Sequence, residues 1–367
     1  MDDKCAIVNV MRKLFDSHHP FRIFFISALI TIASLLAVWH YLGPQKAFIA
    51  LVLILVEVTF SFENAIINAK VLATVSRFWQ QMFITVGIFL AVFGMRLVFP
   101  IVIVMVTAGL PAGQVIDLAL QQPDRYADEL NDAHAAIASF GGMFLLMLAL
   151  HFFFDPKRHI RWIDIIEKPL QDMSRWWLYT TICVITNVAI ALSPWNPHPR
   201  DTLVAGFVGI GLYIIVHGLA ELFAKHQTDL NKGKVVARTG MAGFMSFVYL
   251  EILDASFSFD SVIGAFAVTK EVVIIAIGLG IGALWVRSLT IFMVRKRVLH
   301  AYRYLEHGAH YTISILALVL LIGIFVDIPE VIAGVAGLII VGLSIVSSVA
   351  FSKKEALENG RVGTSRG

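Results

Sequence analysis

Apolar residues gather along the chain in blocks of about 20, the length a helix needs to cross a ~30 Å hydrocarbon core. Short polar segments separate the blocks. Ten blocks stand out, at residues 22–42, 46–70, 79–108, 134–154, 176–193, 201–224, 240–269, 271–294, 310–326 and 329–351. The pattern predicts an all-α polytopic membrane protein with about ten transmembrane helices. The first block follows Arg12, Lys13 and Arg22, as a signal peptide would. It is longer than a usual signal core, and "AVWHYLGP" offers no small-residue cleavage site, so it reads as a retained helix.

Charge gives the list a direction. With a cytoplasmic N-terminus, only Lys46, Arg125, Arg200 and Lys270 of the 29 lysines and arginines fall on the outside. Arg96 and Arg287 lie within spans, and the others fall inside. That is the positive-inside asymmetry, and it predicts an inner (cytoplasmic) membrane protein with both termini cytoplasmic. Composition agrees, at 58% hydrophobic and 15% charged residues. A soluble surface needs more charge than that. The basic pI of 8.8 then reflects the positive-inside signal of basic residues between spans and gives no ground for a nucleic-acid partner. Cys5 and Cys183 have no metal or redox spacing. The outside segment 109–133 is acidic and reads as a solvated loop or a weak cation-attracting vestibule; residues 352–367 read as a disordered tail.

Two blocks carry carboxylates where hydrocarbon is expected. "EVTFSFENAIINAK" has Glu57, Phe60-Ser61-Phe62 and Glu63; "LEILDASFSFDSV" has Asp254, Phe257-Ser258-Phe259 and Asp260. The motifs sit in spans two and seven, which run in opposite directions, the mark of an inverted-topology repeat. Spans four and nine match more weakly, from "NDAHAAI" to "FFFDP" and from "HGAHYTI" to "IFVDIP". Spans 2–4 and 7–9 are therefore expected as the repeats. The chain divides into 1–45 (N-terminus and first helix), 46–155 (first repeat), 156–239 (linking segment with two helices), 240–327 (inverted repeat), 328–351 (last helix) and the tail.

At ~1.5 Å per residue, Glu57 lies about 16 Å into its span from outside and Asp254 about 21 Å from inside, both near the midplane. Residues six apart on an unbroken helix point roughly 120° apart. Phe-Ser-Phe-acid is also weak helix sequence. Broken or kinked helices are thus expected at 60–63 and 257–260, turning the acids inward and freeing backbone carbonyls.

A midplane carboxylate costs roughly 2.5–3.5 kcal/mol even on insertion scales, so four of them require cations. Arg96 in "FGMRLVFP" supplies one charge and a divalent ion two more, leaving about one for a proton. The ligand atoms on offer are hard oxygens, which suit Mg²⁺, Ca²⁺ or Mn²⁺. Glu57, Glu63, Asn64, Asp254 and Asp260 are the candidate metal ligands. Ser61, Asn68, Arg96, Glu251, Ser258 and Ser261 are candidates for the path or for support of those ligands. His134, Glu306, His307 and His310, at the ends of spans four and nine, could relay protons or metal or serve as interfacial residues bonded to backbone. Glu221 and Arg287 are placed near cytoplasmic span ends, as a simple pair. His151 and His217 read as structural. "GLGIGA" at 278–283 lies inside an apolar span, without the strand–turn–helix setting of a phosphate loop, so neither ATP use nor enzyme activity is expected.

At these residues the chain resembles the TerC-like integral membrane proteins, a branch of the LysE-type exporter superfamily. The resemblance rests on "EVTFSFENAIINAKVL", "FGMRLVFP", "FGGMFLLMLALHFFFD", "LEILDASFSFDSVIGAFAVT" and "YLEHGAHY". Members carry Asp-Asn in the first motif, here Glu63-Asn64, and Asp-Ser in the second, here Asp260-Ser261; the Phe-Ser-Phe form marks a distinct subfamily. The resemblance implies efflux of Mn²⁺ or a related metal, with Glu57, Glu63, Asn64, Asp254 and Asp260 matching the presumed metal-binding positions. The expectation is a secondary transporter exporting a divalent cation, Mn²⁺ foremost, in exchange for protons, with the ion as substrate, membrane lipid as surroundings and no cofactor. Two alternatives stand beside it: an exporter of a basic amino acid or other organic cation, and a membrane scaffold in a tellurium-type stress-resistance complex.

Overall fold

The computed structural model of the chain describes residues 20–230, 236–326 and 328–364, without the side chains of 20–22, 107, 176, 230, 259–260, 263, 267, 330–331, 356 and 358–364. Described residues fold into helices, and the expected spans are all met by helix. These are α1 (Pro20–Leu42), the pair α2 (Pro44–Phe60) and α3 (Phe62–Leu72), α4 (Arg77–Met82) running through π-helical turns into α5 (Phe99–Ala108), α8 (His134–Phe154), α10 (Trp176–Ala191), α11 (Pro199–Leu230), α12 (Gly240–Val268), α13 (Val272–Arg295), α15 (Leu305–Gly323) and α16 (Glu330–Thr364). Shorter helices α6 (Ala112–Gln121), α7 (Pro123–Asp132), α9 (Asp164–Asp172) and α14 (Val298–Ala301) lie between them.

Among the described residues seven helices are long and apolar enough to cross a membrane, and the bent pair α2–α3 makes an eighth. The protein is membrane-embedded and all-α. The other two expected spans differ in kind: the apolar stretch of α10 runs only over Trp177–Ala191, and the 29-residue α12 carries Glu251, Asp254 and Asp260.

The first expected break is present. Helix α2 ends at Phe60 and α3 begins at Phe62, with a bend of 53°. The second is not: α12 runs through 257–260 as one α-helix. The same Phe-Ser-Phe sequence therefore adopts two backbones. In α12 Ser258, the counterpart of Ser61, is buried within the unbroken helix. In the first copy the Ser61 hydroxyl reaches the Glu57 carboxylate at 3.2 Å, and the Phe60 ring lies flush against Gly334 of α16, where a Cβ would collide with it. Tertiary packing decides between them where propensity is weak.

Two further expectations are corrected. Segment 109–133 is more than a solvated loop: α6 and α7 bury Val115, Leu118, Tyr126 and Leu130 against the ends of α5, α12 and α13, and Asp124 pairs with Lys270. The expected tail is helical over 352–364, where α16 continues to Thr364, and "KKEALE" is strong helix-forming sequence; residues 365–367 lie outside the described residues.

The core forms around α8, flanked by α11 and α15, with α16 on the far side of α15. His134 at the start of α8 lies beside Gly323 at the end of α15, and Phe152 near the end of α8 stacks on His310, so α8 and α15 run antiparallel. Helix α13 presses against α2 through small residues. A Cβ on Gly278 would fall 2.5 Å from Leu53 Cβ, and one on Gly282 would fall 2.5 Å from Glu57 Cβ. The "GLGIGA" stretch is thus a close-packing surface of the small-residue type used between membrane helices. It holds Glu57 in the interior.

Candidate functional site: a buried layer of acids and arginines

The 53° bend after Phe60 swings α3 across the face of α12. Asn64 Nδ2 donates to Asp254 Oδ1 at 2.8 Å, and Asn68 Nδ2 donates to Asn64 Oδ1 at 2.8 Å. Asn68 is one turn beyond Asn64 on the same face, so its role here is to orient the Asn64 amide. Glu57, Glu63, Asn64, Asn68, Glu251 and Asp254 are all buried.

Each first acid of the two motifs carries a buried arginine. Glu57 Oε1 accepts from Arg96 Nη2, and both side chains are only 2% exposed. Arg96 lies in the π-helical segment Leu90–Val98, whose wider turn lets Nη1 donate to the Ala91 carbonyl at 2.7 Å. Such turns recur at functional positions. Asp254 Oδ2 accepts from Arg287 Nη2 at 3.2 Å. Arg287 also forks onto Glu251, Nη1 to Oε1 and Nη2 to Oε2, both at 3.2 Å. Its Nη1 further donates to the Phe83 carbonyl at 3.1 Å, with the Phe83 ring 3.9 Å beneath the guanidinium. Gly87 makes the room; a Cβ there would collide with Glu251 Oε1 and Arg287 Nη1.

Arg287 is the residue that sequence reasoning misplaced. It is buried within α13 and bonded to Glu251 and Asp254, whereas Glu221 pairs with Arg238 at 3.0 Å. An arginine inside "IGALWVRSLTIFMV" was signal enough; counted from the polar end of its span, it looked interfacial.

Between the motifs lies a small cavity of about 30 Å³, lined by Phe60, Ser61, Glu63, Phe257, Ser261, Thr312, Leu316, Ala333 and Gly334. Its polar wall is one carboxyl and three hydroxyls. A cavity of roughly 10–15 Å³ by this measure holds one water, so this one accepts a single small ion or a water or two. Ser61 links it to Glu57. Glu57 Oε2, Asn68 Oδ1, Arg96 Nε and Arg287 Nε are buried without a hydrogen-bond partner, an unusual concentration for a satisfied interior. Among the described residues no three histidine, cysteine or acidic side chains are grouped so as to hold a metal as they stand. The Asp260 side chain lies outside the described residues. Ser258 is buried in α12.

The candidate relay residues do not form one set. Glu306 pairs with Lys70, His310 Nδ1 bonds the Glu306 carbonyl at 2.8 Å, and His307 Nε2 meets the Ile160 carbonyl at 2.9 Å. His134 lies at the opposite end of the α8–α15 pair, beside Gly323. His307 belongs to a structural knot centred on Glu167, a residue the sequence did not single out. Glu167 is fully buried and is met by Arg158 Nη2 at 3.3 Å, Tyr311 Oη at 3.3 Å, the Trp162 and Ile163 amides at 3.2 and 3.3 Å, and His307 at 3.4 Å.

Burial pushes the Glu167 carboxyl upward, but the hydrogen bond and charge of His307 and the two amides outweigh it and hold the group below the usual range. A depressed folded-state value stabilises the protein above the unfolded value, near pH 4.3, and that stability is lost as pH falls through the folded value. Thermal melts from pH 7 to 3 are expected to show this acid-side loss, and Glu167→Gln to flatten it while lowering stability at pH 7; an unchanged pH profile refutes the assignment.

No curated protein and no solved structure matches the chain. Residues 62–355, which hold α3 through most of α16 and all of the layer except Glu57 and Ser61, match the family model described as protein of unknown function DUF475, and the chain belongs to the DUF475 family.

Proposed function

We propose that this protein is a secondary transporter that moves a divalent metal cation, Mn²⁺ foremost, out of the cytoplasm in exchange for protons. The observation that carries the reading is the cavity of about 30 Å³ between the two motif segments, walled by Glu63, Ser61, Ser261 and Thr312. It is sized for an ion, and its donors are hard oxygens of the kind Mn²⁺, Mg²⁺ and Ca²⁺ accept. The charge balance supports it. Glu57 pairs with Arg96, and Glu251 and Asp254 share Arg287, while Glu63 lines the cavity itself. Among the described residues these acids outnumber the arginines, and a cation or protons can fill the difference.

The matched pairing of each first acid with an arginine, and the antiparallel α8 and α15, support an inverted repeat with the site at its interface. The one-sided distribution of lysine and arginine supports cytoplasmic termini in the inner membrane. The TerC-like resemblance supports the outward direction. Neither an enzyme activity nor ATP use is part of this reading.

Proteoliposome flux of Mn²⁺, with Ca²⁺, Mg²⁺ and lysine as competitors, tests it. Wild type is expected to transport Mn²⁺, and Glu63→Gln to lose that flux with the fold retained. Wild type that moves no metal, or Glu63→Gln that moves it unchanged, sinks the reading. A second reading, export of a basic amino acid, draws on the cavity of about 390 Å³ that reaches α3 at Ile67 and Lys70, within the volume range of small-molecule sites. Strong competition by lysine together with lysine flux selects it.

A further inference from the structure

Phe-Ser-Phe occurs twice, and the first phenylalanine of each copy comes to the same place. Phe60 of α2 and Phe257 of α12 both line the cavity of about 30 Å³. The second phenylalanine of the first copy, Phe62, packs instead against the main core. The Phe259 side chain lies outside the described residues. Each lining ring is held from behind. Phe60 lies flush on Gly334 of α16, where a Cβ would collide with it, and Phe257 is buried as part of the main core. Leu316 and Ala333 extend the apolar lining between them.

The hydroxyls of the same cavity face it as acceptors. Ser61 donates to the Glu57 carboxylate at 3.2 Å, and Thr312 donates to the Gly308 carbonyl at 3.0 Å. A hydroxyl has one hydrogen to give and two lone pairs, so both groups keep oxygen lone pairs for a cation. The rings offer no oxygen ligand and no hydrogen-bond partner for water. A volume that takes an ion or a water or two, closed by such walls, leaves no place for a hydration shell.

We propose that Phe60 and Phe257 form a dehydration filter that selects Mn²⁺ over Mg²⁺. The inference rests on the transport reading and specifies its cargo. Mg²⁺ dehydrates reluctantly and usually keeps several waters in protein sites. Mn²⁺ is larger and sheds its waters more readily, so a site that strips the ion favours it. The apolar shell around a metal controls solvent access, and changes in the residues around the ligands typically move metal affinity by roughly 10–100-fold. Phe-Ser-Phe then has a use in both copies although only one of them breaks its helix: each copy supplies one wall of the filter.

The experiment is Mg²⁺ competition against Mn²⁺ flux in proteoliposomes of the full chain, read as the Mg²⁺ concentration that halves the flux at fixed Mn²⁺. In Phe60→Ala and in Phe257→Ala that concentration is expected to fall about tenfold or more from wild type, because the vacated ring volume admits waters that Mg²⁺ retains. Phe62→Ala, which removes the ring on the core side, should lower the melting temperature and leave the Mg²⁺ concentration at its wild-type value. Where a variant carries no flux, the competition is read from calorimetric binding of the two ions to the purified chain. Where an alanine variant does not fold, Phe60→Leu and Phe257→Leu take its place, with a shift of the same sign.

An unchanged Mg²⁺ concentration in the variants of Phe60 and Phe257 overturns the proposal, as does an equal fall in Phe62→Ala. Stronger competition by Ca²⁺ without any gain by Mg²⁺ would show that the rings set room and not hydration, and it overturns the proposal too. Failure of the transport reading itself looks different: wild type then neither binds nor transports Mn²⁺.

Discussion

Glu57→Gln should be the most destabilising conservative substitution in the membrane layer, and most of the loss should return when Arg96→Gln is added to the same chain. Glu57 is the carboxylate partner of Arg96, with both side chains 2% exposed. Taking the charge from one partner of a buried pair leaves the other uncompensated, which costs about 3–5 kcal/mol. Among the described residues the other acceptor for that guanidinium is the Ala91 carbonyl, which bears no charge. Replacing both partners by neutral amides removes the orphan and keeps the shape, so the double variant should melt closer to wild type than Glu57→Gln alone. Denaturation of the detergent-purified protein across the four chains of this double-mutant cycle measures the coupling. Additive losses, with no recovery in the double variant, would show that the pair is not what holds Glu57 in place.

Asp254→Asn should do the reverse, sparing the fold and abolishing transport. Arg287 keeps its fork onto Glu251 when Asp254 loses its charge, so no guanidinium is orphaned. An amide oxygen at the same position still accepts from Asn64. What disappears is one charge of the layer at the junction of α3 and α12. Loss of one partner of a buried charged contact typically weakens binding by about 2–5 kcal/mol, so Mn²⁺ flux should fall roughly thirtyfold or more while the melting temperature moves by only a few degrees. Flux close to wild type would remove Asp254 from the site and leave it a structural acceptor. The contrast is informative because the two residues stand at the same place in their motifs. One is predicted to matter first for stability and the other first for flux, since only Arg287 has a second carboxylate.

The sequence by itself determined the broad architecture. Block length, loop charge and composition sufficed for an all-α membrane protein, because a bilayer admits few ways of satisfying the backbone. It also picked out most of the layer, since Glu57, Glu63, Asn64, Asn68, Arg96, Glu251 and Asp254 are conspicuous where hydrocarbon is expected.

Tertiary structure alone decided how those groups are paired. Phe-Ser-Phe-acid reads identically in both copies, yet one copy breaks at Ser61 and the other stays helical; at the break Phe60 packs on Gly334 of α16 and Ser61 bonds Glu57. The partner of Arg287 was equally hidden. Helix periodicity places a residue on a face of its own helix but does not say which helix that face meets. Glu251 and Asp254 come to Arg287 only when α12 and α13 pack, and Glu57 of α2 comes to Arg96 only when the π-helical segment Leu90–Val98 packs beside it. The choice of counter-ion for each buried acid is a long-range contact, and long-range contacts are what a local pattern leaves open.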